Sequence, residues 1–315
     1  VHTRDAKLVA AKNGYSAVMA NIRPTEKISG KKAAIIGGGP TGIAAAYFLG
    51  RAGIETTIFE REACLGGVPR HVIPSFRIAN ETIEKDIALM QKYDVEVKCG
   101  APAPSVDELK KMGYTHILFA VGAWKPGKLD IPGDVAGAIQ WMKGVKAGNI
   151  AVGGNVVVVG GGNTAAGDAI YLSRICKKVY LVHRRDKLRA TAIYHKRLED
   201  LPNLEFVWNA VPRKLVADEG ALAGVRVEML ETGEERDIAV NGLFVAVGTE
   251  PNTEFLAGAL TTDETGYIVA GESGETEVPG VYVAGDVRTK FLRQVVTAVA
   301  DGALCAEEAA EYLAI

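Results

Sequence analysis

The chain has 315 residues, enough for two domains that each bury a core of their own. Its 36 basic and 38 acidic side chains give a net charge of −2, which does not favour a nucleic-acid or other polyanionic partner. No apolar run reaches the roughly 18 residues that a membrane-spanning helix requires, so no membrane association is expected. The polar beginning carries no signal-peptide pattern, and a cytoplasmic location is expected.

The four cysteines are isolated: Cys64, Cys99, Cys176 and Cys305. No two of them form a C-x-x-C motif, which excludes a sequence-adjacent redox disulfide and a metal site held by neighbouring cysteines. We therefore expect reduced thiols and no metal. Cys176 and Cys305 lie in apolar surroundings and are interpreted as core residues.

Residues 1–22 are predicted to form a helix that ends at Arg23-Pro24. We interpret residues 1–29 as a helical arm that packs on the first domain. A docking element for a partner is the alternative.

Residues 32–60 show the order strand, glycine-rich turn, helix, strand and acid that is typical of a dinucleotide-binding unit. The glycines Gly37, Gly39 and Gly42 allow a tight turn, close approach of a pyrophosphate and close helix–strand packing. The N–H groups of the following helix, together with its dipole, are expected to face the phosphates. Glu60, 23 residues after Gly37, is placed to accept hydrogen bonds from an adenosine ribose.

Three later features of the chain add to this site. The Gly66-Gly67 pair allows the backbone to pass close to a flat ligand or a pyrophosphate, with an ordinary loop as the alternative. A buried strand over residues 280–285 ends on Asp286, which is predicted to hold a polyol hydroxyl. The helix that begins at Gln294 is predicted to offer N–H groups to a flavin carbonyl.

The second half of the chain repeats the first pattern. A turn with Gly160, Gly162 and Ala165 follows an apolar strand, and Gly160 lies 123 residues after Gly37. The string Ala-Val-Gly occurs at residues 120–122 and again 126 residues later, at 246–248. These similar offsets predict two copies of one nucleotide-binding unit.

The two copies differ at the position that Glu60 occupies in the first copy. His183 stands 23 residues after Gly160, and it is followed by Arg184, Arg185 and Arg189. Guanidinium groups suit a 2′-phosphate through charge-assisted contacts, so the second site is predicted to prefer NADP(H) over NAD(H). A solvated basic helix start is the alternative. Residues 204–247 alternate short strands with polar turns and predict an antiparallel β-flap, with strands at 205–208, 225–230 and 243–247.

Residues 3–154 resemble the flavoprotein (small, β) subunit of bacterial glutamate synthase and the flavin domain of dihydropyrimidine dehydrogenase. The motifs GGGPTG (37–42), IPSFR (73–77) and FAVGAWKP (119–126) carry this resemblance. Residues 155–315 are more similar to bacterial thioredoxin reductase, through GGGNTA (160–165), YLSRICKKVYLVHRRDKLRA (171–190), VAVGTEPNT (245–253) and VYVAGDVRTKFLRQVVTAVADGA (281–303).

The resemblance implies an α/β fold with two Rossmann-like FAD/NAD(P)-binding domains of the pyridine nucleotide-disulfide reductase type. Each is expected to have three layers and a parallel sheet, with the β-flap added. Residues 30–124 plus 250–315 would bind FAD, and residues 125–249 would bind NADPH. No catalytic acid or base is implied, because the cofactors carry the hydride chemistry.

The resemblance also implies the residues of both sites. For FAD they are Gly37, Gly39, Pro40, Thr41, Gly42, Glu60, Arg61, Gly66, Gly67, Val68, Arg77, Gly122, Gly285, Asp286, Gln294 and Val295. For NADPH they are Gly161, Gly162, Asn163, Thr164, His183, Arg184, Arg185, Arg189 and Gly248.

Two departures shape the functional hypothesis. Thioredoxin reductases carry a C-x-x-C ahead of the second glycine-rich turn, and residues 132–154 of this chain contain no cysteine. The glutamate synthase subunit has a cysteine-rich iron–sulfur segment before its flavin domain, which is also absent from this sequence. We therefore expect an NADPH oxidoreductase of the glutamate-synthase-small-subunit type. It would pass electrons to an acceptor protein or to a larger subunit, and an iron–sulfur protein would fit either description. A homodimer is compatible with this hypothesis. The alternatives are a thioredoxin-reductase-like ferredoxin–NADP reductase and a non-catalytic flavin-binding subunit.

Overall fold

The computed structural model describes residues 3–73, 75, 78–126, 131–132, 153–219, 221–251, 253–256 and 258–314. The chain divides into two compact units. The first comprises Val1–Ala123 and Pro251–Ile315, and the second comprises Trp124–Glu250.

The described helices and strands follow one another in a largely alternating order. The helices are α1 (Thr3–Asn21), α2 (Pro40–Arg51), α3 (Gly67–His71), α4 (Asn80–Gln91), α5 (Val106–Lys111), α6 (Asn163–Leu172), α7 (Ala192–Glu199) and α8 (Val295–Ala314). The strands are β1 (Lys32–Ile36), β2 (Glu55–Glu60), β3 (Glu96–Cys99), β4 (His116–Phe119), β5 (Lys125–Pro126), β6 (Asn155–Val159), β7 (Lys178–Val182), β8 (Leu204–Val207), β9 (Ala210–Asp218), β10 (Ala221–Met229), β11 (Glu235–Ala239), β12 (Gly242–Val245), β13 (Thr249–Glu250) and β14 (Val281–Val283).

The first unit is built on a five-stranded parallel sheet with the order β14-β4-β1-β2-β3. Successive side chains of β1 point to opposite faces, and both faces are covered. Ala33 and Ile35 pack with α2, α4 and α8, whereas Ala34 and Ile36 pack on the other face with Leu109 of α5. Burial on both faces explains why β1 is a continuous apolar run.

The second unit has a four-stranded parallel sheet with the order β12-β6-β7-β8. Val156 and Val158 of β6 pack against α6 and α7, while Val157 and Val159 face the antiparallel sheet β11-β10-β9. The predicted parallel sheets, three layers and β-flap are therefore confirmed.

The prediction of which strands form the flap was partly wrong. Strands β8 and β12, predicted within the flap, belong to the parallel sheet and pair with β7 and β6. The flap itself consists of β9, β10 and β11. Strand β9 was not predicted because Pro212 and the charged pair Arg213-Lys214 obscure its alternation.

Helix α1 packs loosely on the first unit. Residues 6–13 are all exposed, including Leu8 and Val9. Its described contacts include the Tyr15 hydroxyl, which donates to the Lys85 carbonyl at 3.2 Å. Among the described helices, none combines the length and the apolar character needed to cross a membrane.

Candidate cofactor-binding sites

The first glycine-rich turn lies where β1 ends beside β4. Gly37 has φ +108°, and a Cβ added there would lie 2.5 Å from the carbonyl oxygen of Ala120. A Cβ on Gly42 would lie 2.0 Å from the carbonyl oxygen of Gly37. The spacing therefore selects glycine at both positions because the backbones approach too closely for a side chain.

The helix that follows each turn has room for a phosphate at its start. Gly39 is the N-cap of α2 and Gly162 is the N-cap of α6, and no side chain of the described residues caps either helix. A Cβ on Gly39 would approach Gly67 Cα at 3.8 Å, and one on Gly162 would meet no described atom within 4 Å. The first-turn N–H groups and the helix dipole are thus available to an anion.

Glu60 is buried at the end of β2 and orders the first turn. Its Oε2 accepts a hydrogen bond from the Gly38 amide at 2.6 Å, and its Oε1 accepts one from the Glu62 amide at 2.8 Å. The amide of Gly66 donates to the Gly38 carbonyl at 2.8 Å, which brings the Gly66-Gly67 pair against the turn. These contacts assign Glu60 a structural role that its position in the motif did not reveal.

Asp286 follows β14 and has a buried oxygen, Oδ1, without a hydrogen-bond partner among the described residues. Burial raises the pKa of Asp286, while the charges of Lys290 and Arg293 oppose that rise. A buried acceptor without a partner is costly unless a ligand supplies a donor. A polyol hydroxyl of FAD is such a donor, so this position fits the predicted flavin site.

Asp301 of α8 holds the loop that carries Asp286, and sequence reasoning missed it. Its carboxylate accepts from the Gly285 amide at 2.9 Å, from Arg288 Nε at 2.7 Å and from Lys290 Nζ at 3.0 Å. Burial alone would raise the pKa of Asp301, but these hydrogen bonds lower it below its usual value. An acid inside an apolar helix was the signal available in the sequence.

The other residues predicted for FAD occupy varied positions in the first unit. Thr41 is buried, and a Cβ on Gly285 would lie 2.3 Å from its Oγ1. The Gln294 amide donates to Thr297 Oγ1 at 3.0 Å, so a side chain of α8 itself satisfies one of the N–H groups at the start of this helix. Pro40 begins α2, Arg61 is exposed, Val68 is half-buried in α3, Gly122 has φ +66° and Val295 is partly exposed. Arg77 lies outside the described residues.

The second turn repeats the geometry of the first with a different partner. A Cβ on Gly160 would lie 2.4 Å from the carbonyl oxygen of Ala246, just as a Cβ on Gly37 would lie 2.5 Å from that of Ala120. The ring of His183 lies over Gly161, so that a Cβ there would be 2.2 Å from Cε1 of the ring. Burial and nearby arginines lower the pKa of His183, whose Nε2 is buried without a partner in the described part of the chain.

The segment after His183 is tied to this turn by its backbone. The amide of Arg189 donates to the Gly161 carbonyl at 2.7 Å, and the amide of Thr191 donates to Asn163 Oδ1 at 2.8 Å. The side chains of Arg184, Arg185 and Arg189 are exposed, and the charges of all three act on His183 beside the turn. Thr164 and Gly248, the latter with φ +120°, are also exposed.

The four thiols are free. Cys176 and Cys305 are buried, which confirms that they are core residues. Within the described ranges, no three His, Cys, Asp or Glu side chains are grouped to hold a metal ion.

Two parallel sheets, each with a glycine-rich turn leading into an open helix start, are the architecture of an α/β protein with two dinucleotide-binding units. The family model described as pyridine nucleotide-disulphide oxidoreductase matches residues 31–302, and the chain belongs to this family. This membership, with the relatives described next, confirms the predictions of a flavoprotein oxidoreductase and of the cofactors FAD and NADPH.

Two curated relatives and one solved structure illustrate what the chain is similar to. Thioredoxin reductase of Pneumocystis carinii is 32% identical over 90% of this chain and 96% of its own length. That of Bacillus subtilis is 32% identical over 89% of this chain and 93% of its own length. The crystal structure of Lactococcus lactis thioredoxin reductase (FR conformation) has a TM-score of 0.78 at 30% identity, covering 90% of this chain and 99% of its own. The likeness thus extends well beyond residues 155–315, where the motifs suggested it.

Proposed function

We propose that the chain is an FAD-dependent NADPH oxidoreductase of the glutamate-synthase-small-subunit type, which passes electrons from its flavin to a separate acceptor protein in a reducing cytoplasm. The observation that carries the proposal is the pairing of two different turns on one chain. One has the buried Glu60 beside Gly38, and the other has three exposed arginines around His183, of which Arg189 donates its amide to the Gly161 carbonyl.

Each group of residues has a proposed binding role. The open start of α2 would hold the pyrophosphate of FAD, and Asp286 Oδ1 would accept a hydrogen bond from its polyol chain. Arg184, Arg185 and Arg189 would hold the 2′-phosphate of NADPH through charge-assisted contacts. When bound, NADPH supplies a hydride and FAD accepts it, while the protein supplies orientation and exclusion of water.

The cysteine pattern supports transfer to an external acceptor. The relatives are named thioredoxin reductases, yet this sequence contains no C-x-x-C through which electrons would reach a disulfide substrate. The motifs of residues 37–42 and 119–126 support the glutamate-synthase-like variant of this chemistry.

An apolar surface next to the proposed flavin site supports a protein acceptor. Phe291 is fully exposed, Val296 is 72% exposed, and Leu292 and Val295 beside them are about half exposed. These residues lie between or next to Asp286 and Gln294 in the sequence. Large exposed apolar groups that cluster near a redox site are typical of a protein-docking surface.

The test is an acceptor assay on the FAD-loaded chain under anaerobic conditions with NADPH. We expect reduction of ferricyanide and of an iron–sulfur partner protein but no reduction of thioredoxin, with Bacillus subtilis thioredoxin reductase as the positive control. Phe291→Ser should raise the KM for the protein acceptor several-fold and leave reduction of the flavin by NADPH unchanged. Efficient thioredoxin reduction would overturn the proposal.

A ferredoxin–NADP reductase is the second candidate, favoured by the thioredoxin-reductase-like fold without a C-x-x-C. NADPH-driven reduction of ferredoxin, compared with reduction of a glutamate-synthase large subunit, distinguishes the two. Preference for ferredoxin would replace the first candidate by the second.

A further inference from the structure

A cleft of about 440 Å³ opens in the first unit at the far end of α2 from its glycine-rich turn. At 1.5 Å per helical residue, Tyr47 and Arg51 of α2, which line the cleft, lie about 12 and about 18 Å from Gly39. Val18, Ile22 and Arg23, from the end of α1 and just beyond it, form one wall. The cleft is therefore separate from the proposed FAD site.

The floor of the cleft is aromatic and apolar. The rings of Tyr47 and Tyr93 meet edge to face with their centroids 5.2 Å apart. Tyr93 is buried, whereas Tyr47 is half-buried and accessible from the cleft. Val18 and Ile22 add aliphatic surface beside them. Such a floor suits a flat ring in an edge-to-face or offset arrangement.

The rim of the cleft is positively charged. Arg23 and Arg51 are exposed and line the opening, and the Arg51 guanidinium lies over the Phe48 ring, 5.6 Å from its centroid. Arg23 Nη1 donates to the Ile22 carbonyl at 3.1 Å, which holds the Arg23 side chain against the C-terminal end of α1. Lys27 adds a third cation nearby, because its Nζ donates to the Tyr93 carbonyl at 2.7 Å. Among the described residues that line the cleft, none is acidic.

We propose that this cleft binds a small aromatic anion, whose ring lies on Tyr47 and Tyr93 and whose carboxylate or sulfonate meets Arg23 and Arg51. The volume is that of a small-molecule site, and two guanidinium groups at its mouth complement one anionic group. The family match begins at residue 31, so one wall comes from a part of the chain outside it.

Binding has a consequence for the arm. A ligand that contacts both walls joins α1, which is mostly exposed, to α2. A ligand that binds only the joined state stabilises it in proportion to its concentration above Kd. The arm should therefore become resistant to trypsin at Lys7 and Lys12 when the cleft is filled.

The experiment uses the FAD-loaded full chain titrated with 8-anilinonaphthalene-1-sulfonate, followed by fluorescence, and with its uncharged counterpart N-phenyl-1-naphthylamine. The test variant is Arg23→Gln combined with Arg51→Gln, both at exposed positions, and its fold is checked by circular dichroism. Arg174→Gln is the matched charge control on the second unit, and Phe291→Ser controls for dye binding to the other apolar surface.

We expect one saturable site whose affinity for the anionic dye falls at least tenfold in the double variant, while affinity for the uncharged dye stays within twofold. Both control variants should bind the anionic dye as the unmodified chain does, and the dye should slow cleavage of the arm. Unchanged affinity in the double variant, or loss of the signal in Phe291→Ser, would overturn the proposal. Neither result depends on NADPH or on an electron acceptor.

Discussion

The two glycine-rich turns have the same backbone geometry but differ in the side chains that contact the backbone of the turn. In the first, Glu60 accepts hydrogen bonds from the Gly38 and Glu62 amides, so the carboxylate is committed to the turn and is buried. In the second, the His183 ring covers Gly161. Under the proposed function, one backbone geometry serves two ligands, and the residues after the second strand of each unit set the preference for each ligand.

The largest effect is expected for Gly42→Ala, which gives the first turn the residue that the second has at Ala165. The added Cβ would lie 2.0 Å from the Gly37 carbonyl oxygen, so the turn must shift. We expect a loss of about 3 kcal/mol in the free energy of unfolding and loss of bound FAD. Urea unfolding and flavin absorbance measure both. The matched change Ala165→Gly should cost only about 1 kcal/mol, and equal costs would break the comparison.

The second effect concerns the arginines of the second turn. Arg184→Gln combined with Arg185→Gln should lower the second-order rate constant for flavin reduction by NADPH about 100-fold or more, since two charge-assisted contacts of about 1.5 kcal/mol or more each total at least about 3 kcal/mol. Stopped-flow reduction of the flavin gives this value. Efficiency with NADH, which lacks the 2′-phosphate, should stay within about twofold. A parallel loss with both nucleotides would mean that these side chains support the fold and do not recognise the 2′-phosphate, and Arg174→Gln serves as the charge control.

The third effect separates ligand binding from stability. Asp286→Ala removes a buried acceptor that lacks a partner in the described residues. We expect FAD affinity to fall about tenfold, which corresponds to about 1.4 kcal/mol, while the FAD-free chain becomes more stable. Fluorescence titration and thermal unfolding measure the two. If the FAD-free variant is less stable, Asp286 has a structural role and the proposed contact is wrong.

The smallest effect concerns a carboxyl group in the helix after the second glycine-rich turn, at a position where the corresponding helix of the first unit has alanine. Asp168 in α6 stands 123 residues after Ala45 of α2, and burial raises its pKa to about 7. The folded state therefore binds a proton more tightly than the unfolded state, whose Asp has a pKa near 3.8, so stability falls as pH rises from about 4 to 7.

Asp168→Ala, which gives α6 the residue that α2 has at Ala45, should remove that slope and raise the free energy of unfolding at neutral pH. Urea unfolding of both proteins at pH 4.5, 6 and 7.5 checks this expectation. The same slope in both proteins would exclude Asp168 as its source.

The features that could be predicted from the sequence are those that depend on the spacing of residues along the chain. Gly37, Gly42 and Gly160 were predictable because a tight turn between a strand and a helix leaves a signature in consecutive residues. The similar offsets of the two turns and of their Ala-Val-Gly strings predicted a repeated unit, and in each unit the strand before the Ala-Val-Gly string lies beside the strand before the turn.

Contacts between distant residues left weaker traces in the sequence. Asp301 meets Arg288 and Gly285 only because α8 packs beside the loop after β14, and no local pattern encodes that pairing. The flap strand β9 was hidden because the adjacent charged residues Arg213 and Lys214 interrupt its alternation and because it contains Pro212. The cleft at Tyr47 and Tyr93 joins three separate segments and has no motif at all.

The most direct test of the central claim is an anaerobic titration of the purified, FAD-loaded chain with NADPH and, separately, with NADH. The account predicts that the protein retains FAD and that NADPH bleaches the visible flavin band at a concentration at least tenfold lower than NADH does. A chain that cannot be loaded with FAD, or one that both nucleotides reduce equally well, would contradict it.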